Sequence, residues 1–324
     1  MKLVTWAAVI AGLLAFSPAM ALDQSLPAYK PLSGVNGQIK SVGSDTLGNA
    51  MELWAKGFRE LYPDVKITIE DKGSATAPPA LLDGSSQLGP MSRPWTSEES
   101  EAFEKKYGYK ASYVAVAVDA LAVYVNKENP IRCLTVQQVD QIFSLNRKGS
   151  GGKAIHTWGE AGLTGDWASK PIALYGRNDI SGTYEFFREI VLYGGDFKPE
   201  VKQEPGSEAV VQNVASDKFA IGYSGIGYRT DGVRTVPLSI TQGRECYDTS
   251  ADATYSGSYP VARYLYIYFN KKPNEQLDQL RGEFIKYVLS KDGQAQTERS
   301  GFYPLTSEMR QKELTRLGIT ASAN

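Results

Sequence analysis

The chain has 324 residues, 42% of them hydrophobic and 22% charged, with 35 Lys and Arg against 36 Asp and Glu. That length suits two domains of about 150 residues each, and the composition excludes wholesale disorder, collagen and a multi-span membrane protein. No basic surplus is present to neutralise a nucleic-acid backbone, so nucleic acid is not an expected partner, and the one histidine, His156, leaves a single base and no His-rich metal site.

The chain opens with Lys2 and an apolar run from Val4 to Phe16, interrupted only by Thr5 and Gly12. Pro18 breaks the run and Ala19-Met20-Ala21 follows. Basic, apolar and small-residue segments in that order predict a signal peptide at 1–21, cleaved after Ala21. The apolar run is short for a membrane span, which is the competing reading. No cysteine follows the cleavage site, which argues against a lipoprotein. The mature chain would then be exported. The two cysteines, Cys133 and Cys246, could form one disulfide in an oxidising compartment, with two buried free thiols as the alternative.

After the signal segment, short apolar strands alternate with amphipathic helices. Gln38 to Val42 reads as a strand, and Leu47, Ala50, Met51, Trp54, Phe58 and Leu61 then fall on one helical face. Val65 to Ile69 alternates as a strand. Pro78 and Pro79 suit a helix start. Gln87-Leu88-Gly89 reads as a strand end, and Thr96 to Tyr107 as an exposed acidic helix. Val114 to Val125 is apolar and rich in valine, which suits a buried strand rather than a surface helix. Thr135 caps a helix bearing Val136, Val139, Ile142 and Phe143 on one face. A polar, Gly-rich connection from Ser144 to Lys170 holds Trp158 and Trp167. Ile172 to Tyr175 predicts a strand, Thr183 to Tyr193 a helix, Ala209 to Ser216 a helix and Ala220 to Tyr223 a strand. Tyr264, Tyr266 and Tyr268 alternate with Leu265, Ile267 and Phe269 in a two-sided strand, and Leu277 to Leu289 is helical. This alternation predicts an α/β fold with largely parallel sheets.

Three loops between a strand and a helix share one design: Ser41-Val42-Gly43-Ser44-Asp45-Thr46-Leu47, Gly73-Ser74-Ala75-Thr76, and Arg177-Asn178-Asp179-Ile180-Ser181-Gly182-Thr183. Each sets small hydroxyl residues at a helix N-terminus, where free N–H groups and the helix dipole attract an anion. Arg177 adds a charged, two-pronged donor for an oxyanion, with a surface ion pair to Asp179 as its plainer role. In open α/β sheets such loops meet at the carboxyl ends of the strands. No Gly-Lys-Ser or Gly-Lys-Thr occurs, so an ATP-type phosphate loop has no support. Donors without a metal or an activated base suit holding an anion better than transforming it.

The mature chain resembles the periplasmic phosphate-binding proteins of the PstS type, receptors for phosphate ABC importers. The marks are Gly43-Ser44-Asp45-Thr46-Leu47, Lys72-Gly73-Ser74, Gly89-Pro90-Met91-Ser92-Arg93-Pro94, Arg177-x-Asp179-x-Ser181-Gly182-Thr183, and Ile221-Gly222-Tyr223. The resemblance implies a type II periplasmic-binding-protein fold of the α/β class, two lobes joined by a two-crossover hinge. Lobe 1 would comprise 22–115 plus 260–324 and lobe 2 116–259, with hinges near Tyr113-Val114-Ala115 and Tyr259-Pro260-Val261. Thr46 and Leu47 would offer hydroxyl and backbone donors, with Asp45 beside them and Ser74 from the second loop. Arg177, Ser181, Gly182 and Thr183 would grip phosphate from the other lobe, Asp179 orienting Arg177. Many relatives carry an Asp where this chain has Ser92, and that Asp accepts the proton of hydrogen phosphate. Ser92 and Arg93 therefore become candidate ligands, Arg93 with a structural ion pair as its alternative, and Asp45 a candidate acceptor. The resemblance further implies a monomeric periplasmic binding protein without cofactor or catalysis, whose partners are inorganic phosphate and membrane permease subunits. Another oxyanion such as sulfate or molybdate, a secreted phosphoester hydrolase and a surface-adhesion role are the competing functions.

Overall fold

A computed structural model describes residues 22–318, so the predicted signal segment lies outside the described residues. The first part of the chain runs β1 (Gly37–Val42), α1 (Gly48–Leu61), β2 (Val65–Glu70), α2 (Ala77–Asp83), β3 (Gly89–Met91) and α3 (Ser97–Tyr107). β1 and β2 pair in parallel from Gly37↔Val65 to Val42↔Glu70. On its other side β1 meets the segment leading into β3, where Ser41 bridges Leu88 in parallel. The apolar face of α1 is buried through Ala50, Met51, Trp54 and Phe58, but Leu61, the last residue of the predicted face, is exposed at the helix end. Trp54 spends its one donor on the Gly293 carbonyl at 2.9 Å, so a large ring is buried without an orphaned N–H. The acidic α3 begins with a capping box between Thr96 and Glu99 and buries only Phe103.

β4 (Ser112–Asn126) is one unbroken strand of 15 residues. Beyond it lie β5 (Leu134–Thr135), α4 (Val136–Phe143), β6 (Ala173–Arg177), α5 (Gly182–Ile190), β7 (Lys202–Glu204), α6 (Ser207–Ser216), β8 (Ala220–Gly225), β9 (Val233–Thr235), β10 (Leu238–Ser239) and α7 (Ala251–Tyr255). The chain closes with β11 (Ala262–Phe269), α8 (Gln279–Val288), α9 (Lys291–Arg299) and α10 (Ser307–Leu317). A seven-stranded sheet has the order β3-β11-β4-β8-β6-β7, with β9 also paired to β4. β6 is parallel to both β7 and β8. β4 is antiparallel to β11, β8 and β9. The sheets are therefore mixed rather than largely parallel. β4 carries the chain from one half of the molecule to the other, and β11, which follows the return passage, runs antiparallel to both β4 and β3.

The change of half occurs inside β4. From Ser112 to Ala120 it pairs with β11, and from Leu121 to Val125 it pairs with β8. The hinge expected at 113–115 thus falls within regular pairing to β11, and the partner switch comes at 120–121. The return passage at 259–261 directly precedes β11. Every residue of β4 from Val114 onward is buried, because helices or strands cover both of its faces. Cys133 and Cys246 form a disulfide with a Cα–Cα distance of 6.2 Å. It fastens the approach to β5 to the segment after β10, and those two strands pair in parallel. In the Gly-rich connection Trp158 is fully buried and donates to the Phe219 carbonyl at 3.0 Å. Among the described residues no helix is long and apolar enough to cross a membrane, and no group of three His, Cys, Asp or Glu is placed to hold a metal ion.

Candidate anion-binding site

The loops that follow β1, β2 and β3 meet the loops that follow β6 and β7. Their meeting is local geometry first. Ser44 N–H donates to the Pro90 carbonyl at 2.8 Å and Gly73 N–H to the Gly43 carbonyl at 2.8 Å, so the first three loops brace one another. Gly73 holds a φ of +134°, a region that other residues reach only with strain. Across the cleft Ala75 N–H donates to the Ile180 carbonyl at 3.1 Å. Gly182, the first residue of α5, comes so close to the facing loops that a Cβ there would lie 2.4 Å from Ser74 Oγ and 2.7 Å from Ser92 Oγ. Only glycine permits this approach.

Arg177 is fully buried at the end of β6. Its Nη1 pairs with Asp45 Oδ2 at 2.8 Å and donates to Ser207 Oγ at 2.6 Å, while Nη2 donates to the Pro205 carbonyl at 2.9 Å. Its Nε is buried with no protein acceptor among the described residues. An unmatched buried N–H is costly, and an oxyanion would satisfy it. The partner that orients Arg177 is Asp45 from the opposite half, not Asp179, which lies exposed in the loop. Asp45 also accepts from Ser207 N at 2.9 Å and Ser207 Oγ at 2.7 Å. It thus caps the first turn of α6 across the cleft, whereas the turn it belongs to has no side-chain cap. Tyr228 donates to the Asp45 carbonyl at 2.7 Å. Burial, reinforced by the Asp45 charge, pushes the Tyr228 phenol far above its ordinary range, so it remains a donor at any physiological pH.

The hydroxyls follow. Thr46 and Thr183, both buried, share a hydrogen bond of 2.9 Å between facing loops. Ser92 Oγ lies 3.1 Å from both Ser44 Oγ and Ser74 Oγ, and all three serines are buried. Ser181 caps α5 by accepting from Thr183 N at 3.1 Å, which leaves its hydroxyl proton available to an anion. Leu47 is buried and its N–H closes the turn on the Ser44 carbonyl, so that donor is already engaged. Arg93 is engaged as well. Nη1 and Nη2 each reach a different oxygen of Glu99 at 2.7 Å, and Nε pairs with Glu185 on α5. Its guanidinium is an ion-pair bridge between halves rather than a free anion donor. His156 is exposed, its backbone N–H bonded to Glu160, and it takes no part in this network.

Sequence reasoning missed a second buried arginine. Arg263 on β11 reaches Asp119 Oδ2 through Nε at 2.9 Å and Nη2 at 2.8 Å. Nη1 donates to the Ser92 carbonyl at 2.9 Å and Nη2 to Thr183 Oγ1 at 2.9 Å. Burial pulls this guanidinium below its ordinary value while the Asp119 charge raises it again. A signal existed. Asp119 is the one charge in the apolar run 114–125, and Arg263 the one charge in 261–269. Lone charges in buried strands require a partner.

Two α/β halves, joined by two crossing strands and closing hydroxyl-rich helix N-termini and a buried arginine around one point, define an anion-receptor class of binding protein. A family model, the PBP superfamily domain, matches residues 30–292, and the chain belongs to that superfamily. The phosphate-binding protein PstS of Pseudomonas aeruginosa is 50% identical over 311 residues, which cover 96% of each chain. The Staphylococcus saprophyticus PstS is 31% identical over 83% of this chain and 81% of its own. A phosphate-bound ABC-transporter substrate-binding protein from Clostridium perfringens superposes with a TM-score of 0.70 at 27% identity, over 83% of this chain and 100% of that one. The chain is a member of the PstS family of phosphate-binding proteins.

Proposed function

We propose that this chain is an exported receptor that captures inorganic phosphate between its two halves and delivers it to the permease subunits of an ABC importer, without catalysis or cofactor. The observation that carries the reading is Arg177, fully buried against Asp45 and Ser207 with an Nε–H that no atom of the described residues accepts. The ligand set is Asp45, Thr46, Ser74, Ser92, Arg177, Ser181, Gly182 and Thr183. Leu47 and Arg93 act by shaping the loops. The two lobes divide at 120–121, where β4 changes partners, and at 259–261, just ahead of β11. Family membership and the phosphate-bound Clostridium relative support phosphate over other oxyanions. Asp45 is the acidic residue of the ligand loops that pairs with Arg177, and its Oδ1 supplies the acceptor that a protonated phosphate needs in the absence of an acid at position 92.

The test is calorimetric titration of refolded, ligand-free mature protein with phosphate, sulfate, arsenate and molybdate. Tight binding of phosphate and arsenate with little response to sulfate is the expected result. Sulfate or molybdate bound in preference to phosphate would move the protein to another oxyanion. Turnover of a phosphate monoester by the same preparation would favour a hydrolase.

A further inference from the structure

The buried pair formed by Asp119 and Arg263 sits where the two long strands change halves. Asp119 is one residue before the end of the β4–β11 pairing, and Arg263 is the second residue of β11. Both side chains are excluded from water, at 0% and 2% exposure. Stability is a poor reason to keep such a pair, because well-packed apolar residues often serve as well or better. Its contacts suggest another reason. Arg263 holds three separate segments at once: the crossing strand through Asp119, the Ser92 carbonyl at the end of β3, and Thr183 Oγ1 in the first turn of α5. Its plane also packs over the Phe186 ring at 5.4 Å, one turn along the same helix. Asp119 in turn accepts the Ile226 N–H at 2.9 Å through its other oxygen.

The consequence lies in the Thr183 hydroxyl. A hydroxyl has one proton to give and two lone pairs to receive with. Arg263 occupies one lone pair and turns the Thr183 proton away from β11; with Thr46, 2.9 Å off, donating to the other lone pair, that proton is left for the anion. Resting on the phosphate reading above, we propose that Arg263 is a positioning residue for the bound anion: it sets Thr183 as a hydroxyl donor, fixes the Ser92 loop, and ties both to the strand crossover.

Removing Arg263 alone would leave Asp119 as an unpaired buried charge, so the test replaces both. Phosphate affinity is measured for wild type, Thr183→Val, the pair Asp119→Asn with Arg263→Gln, and the triple variant, each checked for folding by thermal melting. If Arg263 acts through Thr183, the pair change weakens phosphate binding by about tenfold or more in the wild-type background, and most of that loss vanishes in the Thr183→Val background. An equal loss in both backgrounds, or none in the first, overturns the inference. Should the pair variant fail to fold, Arg263→Lys decides: the single nitrogen of an ammonium cannot span acceptors that Arg263 reaches from three nitrogens, so affinity should fall while the charge on Asp119 stays matched, and unchanged affinity overturns the proposal. Wild-type protein that takes up no phosphate would overturn the phosphate reading and this inference with it, whereas phosphate binding without coupling overturns the inference alone.

Discussion

Arg177 and Asp45 face each other across the cleft, and each has a consequence that can be measured. Loss of a charge-assisted hydrogen bond costs about 1.5–3 kcal/mol, so Arg177→Ala should weaken phosphate binding by about tenfold to a hundredfold or somewhat more while the protein still folds. Titration checks it, and wild-type affinity in the variant would remove Arg177 from the site. Asp45 leaves its own turn without a side-chain cap and instead caps α6 across the cleft. One of its oxygens, Oδ2, is spent on Arg177 and Ser207, and the phosphate reading assigns Oδ1 to the ligand's proton. Sulfate has no proton for that oxygen and is repelled by its charge. Asp45→Asn can turn an amide N–H toward sulfate, so the phosphate-to-sulfate affinity ratio should fall by about tenfold or more. Both affinities, taken at one pH and ionic strength, decide the point. An unchanged ratio would confine Asp45 to its Arg177 contact.

At the scale of elements, the entry to α5 is the tightest junction between the halves. A Cβ at Gly182 would lie inside contact distance of Ser74 and Ser92. Overpacking of this size costs about 1–3 kcal/mol, and it falls on closure rather than on either half by itself. Gly182→Ala should therefore weaken phosphate binding while the melting temperature of the ligand-free protein stays close to wild type; an equal drop in both would place the clash in the open protein too. The disulfide acts on a different element pair, holding the approach to β5 to the segment after β10 across a sequence separation of 113. Joint Cys133→Ser and Cys246→Ser replacement should lower unfolding stability by about 2–4 kcal/mol in denaturant titration, with phosphate affinity retained because neither sulfur touches the ligand loops. Some elements left no trace in the pattern. α9 reads Lys-Asp-Gly-Gln-Ala-Gln-Thr-Glu-Arg and has no apolar stripe, yet Gln294 and Thr297 are fully buried. Gln294 donates to the Val116 and Val288 carbonyls and accepts from Leu305 N, so a polar side chain does the packing of an apolar one.

For the whole molecule, the contacts between halves are many and small: Asp45 with Arg177, Thr46 with Thr183, Ala75 with Ile180, Arg93 with Glu185. All of them join loops at the mouth or floor of one cleft, and two strands are the backbone path between the halves. A compact anion reaches Thr46 and Arg177 together only when the cleft is shut, as in hinge-closing receptors. Small-angle scattering should show the ligand-free protein to be more extended than the phosphate-loaded one. Identical profiles, with binding confirmed on the same sample, would mean that the anion enters without hinge motion.

The amino-acid sequence by itself determined the α/β alternation, the buried face of α1, and three of the loops that carry the site. Those features are local: apolar spacing, N-capping hydroxyls and glycine are read within a few residues of one another. Tertiary structure decided which loops face each other. Arg177 finds Asp45 at a separation no local pattern encodes, and Arg93 is claimed by Glu99 and Glu185 before any ligand can reach it. It also decided where β4 changes partners. A run of uniformly buried strand residues looks the same whichever neighbour it pairs with, so the switch from β11 to β8 at 120–121 is invisible until both partners are in place. Asp119 and Arg263 were visible only as two lone charges, because burial makes such charges costly but only folding determines which opposite charge meets them.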